Sequence, residues 1–500
     1  MRFALLLAVS VALVLGGCGQ QQASSRKAIA QAAPERECEA IDAWVKDPNV
    51  PPSSSAAQKD PEDCFFYQLA WKNFLYATRE NAAKEPEFAA YPNMATLFGA
   101  NTEKSRFGSI APNELSLSVR DVQRPNALSD HPSRMVSFAD SARQAGGMFG
   151  VVVDGAGNPI LYSIHVNAAF KAFIDDFEKN NGPITKANIE SNPQVEFTPG
   201  VAEYKAAWRI APTSASRDPN YIYADSTVPN FVQDAKGVLR ISSGTRPVTL
   251  QLIALHVAFV IENHPEFVWA TFEHVTPTGE PDLAPSAAHG DETAAIVAKP
   301  GVSYLLFAPA ATRETANSPC PGKDTTACEK DQTFALYDAS TQSFTRDGAA
   351  QQTSIFREFP ASKSDGSADQ DQSVMDLNAS VGEMLAPAGG ARDVRANYRL
   401  VGATWLEHPR DGDGRPGDFV LKRAFKNPPG QDLENRSRIV AGEDAMSSMA
   451  LESFTQRERP SCFSCHDTRS VFSDEDDHVI LKPALLNVSH VISRHLEHPN

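Results

Sequence analysis

Two cysteines and a histidine near the C-terminal end are the residues best suited to do chemistry. Cys462, Cys465 and His466 follow one another in the order Cys-x-x-Cys-His, which is the spacing used for covalent attachment of haem. Two thiols add across the two vinyl groups of the porphyrin, and the adjacent imidazole binds the iron as its proximal axial ligand. The sequence therefore predicts one covalently bound haem c, attached at Cys462 and Cys465 and ligated by His466.

Three other interpretations of this motif are weaker. A thioredoxin-like Cys-x-x-Cys would begin a helix after a strand, whereas a polar segment containing Pro460 precedes Cys462 and the acidic residues 474–477 follow. A structural zinc ion would need two further Cys or His ligands at short spacing, and the sequence has none nearby. A disulfide between Cys462 and Cys465 is the simplest alternative.

The N-terminus has the pattern of an export signal. Arg2 is followed by an apolar run over 3–15, which is too short for a stop-transfer helix. The residues Leu-Gly-Gly before Cys18 resemble the lipobox of bacterial lipoproteins. This resemblance implies cleavage before Cys18, lipid on its sulfur and, with Gly19 next, the outer membrane. An ordinary signal peptide is the alternative, and either interpretation places the protein in the bacterial envelope, facing the periplasm, where haem c is attached.

The remaining cysteines suit an oxidising compartment. Of seven cysteines in the chain, Cys38, Cys64, Cys320 and Cys328 have no role in the lipid or haem predictions. Four cysteines allow three pairings, and exported proteins form disulfides readily. We expect the local pairing, Cys38 with Cys64 and Cys320 with Cys328.

Composition limits the partners. The net charge is −16 over 500 residues, and no basic stripe interrupts it, so nucleic acid is disfavoured as a partner. Apart from the N-terminal run, no segment approaches membrane-spanning length. We expect contact with the membrane through the N-terminal lipid only, and a redox protein or a small-molecule electron donor or acceptor as the partner.

The hydrophobic pattern predicts an α+β fold. Helices are indicated from Asp63 onward and over 167–178, and the middle of the chain alternates as strands do. We expect a large body with a mostly antiparallel β core and flanking helices, followed by a mainly helical segment that attaches haem. The predicted strands are 150–154, 160–164, 201–210, 248–262, 267–274, 398–406 and 418–423.

The sequence divides into four parts. Residues 1–17 are the predicted signal peptide and residues 18–60 the lipid anchor with a flexible tether. Residues 61–430 form the α+β body, and residues 431–500 carry the haem motif. In this last part we expect one helix over 439–454 and another over 483–496.

The ligand on the other side of the iron decides the chemistry, because a tightly held side chain gives an electron carrier and an open position admits small ligands. His490 is the first candidate, since a terminal helix can fold back over the haem. His274 and His256 follow, because both lie on apolar strands, and Met446 and Met449 precede the motif. Each of these residues has core packing as its alternative role.

Two further motifs have simpler explanations. Glu273 and His274 could form an acid/base pair in a cleft, but the polar end of a core strand is favoured. The acidic run 411–418 is spaced somewhat like a calcium loop but lacks the terminal Glu, so a β-turn is favoured.

Several segments together resemble large exported bacterial proteins known as cytochrome c family proteins. The segments are 70–75, 203–208, 268–274, 451–454 with 461–466, and 487–490. The resemblance implies covalent haem c and redox or electron-transfer work. Together with the motif and the N-terminus, it leads us to expect a lipid-anchored monohaem c-type cytochrome that transfers electrons outside the cytoplasm. A haem-dependent oxidoreductase or peroxidase whose large body binds a substrate is the first alternative. A binding or sensory protein with structural haem is the second.

Overall fold

The structure is a computed structural model. It describes residues 36–41, 43, 51–52, 63–98, 151–212, 217–233, 239–288, 295–318, 337–346, 348–359, 372–387, 389–406, 440–443, 445–456, 461–464, 466 and 484–497. From Glu37 onward the chain forms one compact unit. The predicted signal peptide with Cys18, the Cys320–Cys328 pair, the acidic run 411–418, the strand 418–423 and Cys465 lie outside the described residues.

Twelve strands are present in the described residues. They are β1 Leu161–Val166, β2 Ala202–Ile210, β3 Tyr223–Gln233, β4 Leu239–Ile261, β5 His264–His274, β6 Ser286–Ala287, β7 Ile296–Val297, β8 Tyr337–Asp338, β9 Ser343–Arg346, β10 Ala349–Ala350, β11 Tyr398–Leu406 and β12 Val440–Gly442. Seven of them form one antiparallel sheet in the order β1, β2, β4, β5, β11 and β12, with β3 also paired to β4. Strands β8–β10 and β6–β7 form two small sheets.

Six α-helices are found in the same residues. They are α1 Asp63–Ala77, α2 Met94–Phe98, α3 Ala168–Asn181, α4 Lys186–Ser191, α5 Gln372–Leu385 and α6 His490–Glu497. Four short 3-10 helices accompany them, at Glu87–Ala90, Val394–Asn397, Cys462–Ser464 and Leu485–Val488. No helix among the described residues is long and apolar enough to cross a membrane.

The first face of the large sheet is covered by α1 and α5. Phe74 of α1 stacks on Phe272 of β5 with ring centroids 4.3 Å apart, and Phe66 stacks on Trp405 of β11 at 4.0 Å. Trp71 of α1 donates from Nε1 to the Asn378 side chain of α5. These residues belong to the largest apolar cluster, so this face is the main core of the body.

The opposite face receives α3 and the C-terminal segment. In α3 the residues Phe170, Phe173, Ile174 and Phe177 are buried, which is the spacing of one helix face. Asn167 caps the helix by accepting a hydrogen bond from the Phe170 N–H at 2.9 Å. The buried part of α3 packs in the same cluster as Phe463 and the residues of α6, so two distant parts of the chain cover this face together.

The predicted fold class is confirmed. The structure is α+β, its large sheet is antiparallel, and helices flank it. The expected strands 201–210, 267–274 and 398–406 correspond to β2, β5 and β11, and β4 begins earlier than expected, at Leu239. Of the expected hairpin 150–154 and 160–164, only the second arm continues as a strand, β1, joined to the first by a bridge between Val153 and Pro159.

The helix expected over 439–454 is wrong in the described residues. Val440–Gly442 instead form β12, which pairs with β11; residues 445–448 are irregular and residues 449–456 form turns. Gly442 has φ 75°, and a Cβ there would lie 2.3 Å from the Ala403 carbonyl oxygen. The close approach to β11 therefore requires glycine, and sheet pairing overrides the local helical pattern.

The predicted disulfide between Cys38 and Cys64 is present, with Cα atoms 5.5 Å apart. It joins the segment before the body to the first turn of α1. The Glu37 N–H donates to Asp376 and the Ala40 N–H donates to Ser380, both on α5. Residues 37–40, which the sequence assigns to the tether, therefore contact both helices of the main core.

We expect the double variant Cys38→Ser/Cys64→Ser to lose about 3.5 kcal/mol of unfolding free energy, because the disulfide closes a 26-residue loop in the unfolded chain and so lowers its conformational entropy. Urea unfolding of the oxidised protein measures this loss. The wild type treated with a thiol reductant should match the variant. An unchanged unfolding midpoint would contradict the prediction.

Acid should destabilise the protein through His165 of β1. Burial lowers the pKa of His165 to about 4, although its Nδ1 donates to the Tyr91 carbonyl oxygen at 3.0 Å. Between pH 6.5 and 4 the unfolded chain takes up a proton at this residue and the folded chain does not, so the unfolding free energy falls as the pH falls, by about 3 kcal/mol in total. Urea unfolding at several pH values should show a smaller acid loss in His165→Gln, and equal slopes would refute this assignment.

Candidate haem site

Four strands of the large sheet build the floor of a cavity on the face covered by the C-terminal segment. Alternate residues of a strand share a face, and the pairing register aligns such residues into two rows. One row is Ile164, Lys205, His256 and Thr271, and the other is Val166, Glu203, Ala258 and Trp269. All of these residues except Val166 and Thr271 line the cavity, so its floor combines apolar side chains with two charged residues and a histidine.

The C-terminal segment supplies the roof. His466, His490 and Val491 complete the lining of the cavity, which is partly open to solvent. Its free volume is about 20 Å³, which is room for one water molecule. The His466 backbone N–H donates to the Cys462 carbonyl oxygen at 2.9 Å, and Cys462–Ser464 form a short 3-10 helix. Cys462 is half-buried and Phe463 is buried.

The imidazole of His466 is held in one tautomer. Its Nδ1 donates to the Val488 carbonyl oxygen at 2.9 Å, because a carbonyl oxygen can only accept. Burial lowers the pKa of His466 to about 3, even though this hydrogen bond acts to raise it. The ring is therefore neutral with its lone pair on Nε2, the arrangement that iron-binding and zinc-binding histidines usually adopt.

Two aromatic rings contact His466. The Trp269 ring lies 3.8 Å from it between centroids and is inclined by 32°, and the His490 ring stacks on it at 3.7 Å and 25°. Rings at this separation are in direct contact. Binding of one iron by both histidines therefore requires at least one imidazole to turn away from the stack.

A charged cluster fixes the segment before the motif to the floor. Glu452 accepts from His256 Nε2 at 2.6 Å and lies 3.7 Å from Lys205 Nζ. Burial opposes its ionisation, but the charges of His256 and Lys205 lower the pKa of Glu452 to about 2. The Ser448 N–H donates to the other carboxylate oxygen at 2.9 Å, so this ion pair also orders the turn over 448–452.

The structure brings three of the predicted site residues together. His466, His490 and His256 line the same cavity. Sequence analysis missed Glu203, Lys205, Trp269 and Glu452. Charges at alternate positions of an otherwise apolar strand, Glu203 and Lys205 in β2, were the available signal, because such charges on a buried face need partners.

Contacts in the core argue against His274 and Met449 as iron ligands. His274 Nδ1 lies 2.7 Å from Asp282, its Nε2 lies 3.0 Å from the Asn220 carbonyl oxygen, and its ring stacks on Tyr221. Met449 is buried in an apolar cluster outside the cavity lining. His274 is therefore a hydrogen-bonded core residue, which was the alternative to iron ligation in the sequence analysis.

Met446 and Glu273 are also occupied by packing and pairing. Met446 is buried in the apolar cluster that contains Phe463. Glu273 forms a buried ion pair with Arg357 and accepts from the Met449 N–H. The carboxylate of Glu273 is therefore engaged away from the His274 ring, which removes the basis for an acid/base pair.

These donors fit haem better than a bare metal ion. The described residues contain no group of three or more His, Cys, Asp or Glu side chains placed to hold a metal ion. A neutral imidazole whose Nδ1 is held by a carbonyl oxygen, as in His466, keeps its lone pair on Nε2, and this is the donor that a haem iron needs on its proximal side. No family model matches this chain, and neither a curated protein nor a solved structure matches it.

Proposed function

We propose that this protein is an exported, lipid-anchored monohaem c-type cytochrome that transfers electrons in the bacterial envelope. Haem c is attached through Cys462 and Cys465, His466 is the proximal ligand, and Cys18 carries the lipid of an outer-membrane anchor. The observation that carries the proposal is the tautomer of His466: within a Cys-x-x-Cys-His motif, its Nδ1 is held by the Val488 carbonyl oxygen. The partner is a redox protein or a small-molecule electron donor or acceptor.

The residues around His466 suit a one-electron site. When bound, haem supplies the redox couple itself. The Val488 carbonyl oxygen holds the orientation of the His466 imidazole, Trp269 packs against its ring, and the nearby Phe463 is buried in the apolar cluster. A buried and fixed ligand reduces the structural change on electron transfer, which is what a carrier requires.

His490 is the proposed ligand on the second side of the iron. It is the first residue of α6, and its ring contacts the His466 ring in the structure. Two imidazole ligands would fill both axial positions, which favours electron transfer over binding of small molecules. His256 lines the same cavity but both its ring nitrogens are hydrogen bonded, to Glu452 and Thr271.

A haem-dependent oxidoreductase or peroxidase is the second candidate, favoured by one observation. His256, Glu452 and Lys205 form a charged cluster at the wall of the same cavity. Such a group is able to hold or move a proton close to a ligand on the iron. This function requires the sixth iron position to be open, so it excludes ligation by His490.

Covalent haem is tested by producing the full chain in a bacterial host that has the haem c maturation proteins. We expect one haem per chain by the pyridine haemochrome assay, retained on a denaturing gel. The variant Cys462→Ser/Cys465→Ser should lose it, because both thioether bonds are gone. Cys320→Ser/Cys328→Ser is the matched control and should keep it. Wild-type protein without gel-resistant haem would overturn the proposal.

The sixth ligand is tested by the ferric spectrum. Wild-type protein should be low-spin and indifferent to peroxide, and His490→Ala should become high-spin because a strong axial ligand is lost. His495→Ala is the control, since His495 lies on the same helix but packs on Phe98 and contacts the Ile184 carbonyl oxygen. A low-spin spectrum that persists in His490→Ala would rule out this ligand, and a high-spin wild type that reacts with peroxide would favour the enzyme.

A further inference from the structure

Glu203 is a buried carboxylate on an apolar part of the cavity floor. It is 8% exposed, and its cross-strand neighbours are Val166 of β1 and Ala258 of β4. Carboxylates are seldom buried in such surroundings, because removing the charge from water is costly. Its position at the wall of the cavity that also contains His466 and His490 indicates a role in that site.

Glu203 is hydrogen bonded to Ser489, the residue just before α6. The Ser489 hydroxyl donates to Glu203 Oε2 at 2.6 Å. The same hydroxyl accepts from the Val491 N–H at 3.2 Å, which is the bond that an N-cap residue makes to the second residue of a helix. Ser489 therefore starts α6 and ties its first turn to β2 through one side chain.

His490 is the residue whose position this link determines. It follows Ser489 directly and is the first residue of α6, so its backbone cannot shift without disturbing both hydrogen bonds. The Ser493 N–H also donates to the Ser489 carbonyl oxygen at 3.2 Å. The start of α6 is thus held from two sides, by its own first turn and by the floor of the cavity.

We infer that Glu203 positions His490 through Ser489 and, by its charge at the cavity wall, favours the oxidised form of the bound redox group. The inference rests on the proposed function, because it concerns the haem site. A carboxylate stabilises whichever form carries more positive charge, and in a site of low dielectric this effect is larger than in water. Glu203 is therefore a positioning residue that also lowers the reduction potential.

Two substitutions in the haem-loaded full chain separate the positioning of His490 from the effect of the Glu203 charge on the reduction potential. Glu203→Gln keeps an oxygen that accepts from Ser489 but removes the charge. It should keep the low-spin ferric spectrum and shift the ferric/ferrous ratio at fixed ambient potential toward ferrous, on the order of tenfold, which equals about 59 mV for one electron. Ser489→Ala keeps the charge but breaks the link and the cap, so it should give a partly high-spin ferric spectrum.

Glu80→Gln is the matched control. Glu80 is exposed and forms a surface ion pair with Lys84, four residues along the chain. It should leave spectrum and ratio unchanged. Haem-loaded, folded Glu203→Gln and Ser489→Ala proteins that behave like Glu80→Gln would overturn this inference alone. A wild type without covalent haem would overturn the proposed function, and the inference with it. Both variants replace one side chain by one of similar or smaller size, so we expect them to fold. Circular dichroism is the measurement that checks this.

Discussion

The pairing of β4 with three other strands is the constraint on which the rest of the structure depends. β2 occupies one edge of β4, and β3 and then β5 occupy the other. Side chains alternate between the two faces along each strand. The pairing register with β4 therefore decides which side chains of its neighbours lie on each face of the sheet. The first face meets the aromatic side chains of α1 and the aliphatic side chains of α5, and the second must be covered by segments that come from elsewhere in the chain.

The C-terminal segment covers the second face because polar groups on that face need partners. Lys205 and His256 are matched by Glu452, and Glu203 is matched by Ser489. An ion pair in such a place adds little to stability by itself, but leaving one member buried alone is costly. These contacts therefore specify where the segment docks, and docking brings the His466 ring against Trp269 and His490.

Secondary structure was predicted correctly from the sequence where the local hydrophobic pattern matches the conformation that the element adopts in the fold. The β-like apolar runs identified β2, β5 and β11, and helical periodicity identified α1 and α3, because the apolar side chains of these elements are buried in the core. It failed at 439–454, where the apolar periodicity suited a helix but pairing of β12 with β11 and the glycine at position 442 decided the conformation. Local propensity is a weak preference, and sheet pairing outweighs it.

The sequence by itself supplied the proposal of a haem motif and the expectation that Cys38 pairs with Cys64, since both come from residue type and spacing; the disulfide is present in the structure. It ranked His490 first but could not separate His256 from His274, because both lie on apolar strands. Only the tertiary structure decided that His274 is engaged by Asp282 in the core and that His490 lies against His466. The reason is physical: the cavity is assembled from four strands and a segment about two hundred residues away, and no local pattern encodes contacts between parts so distant.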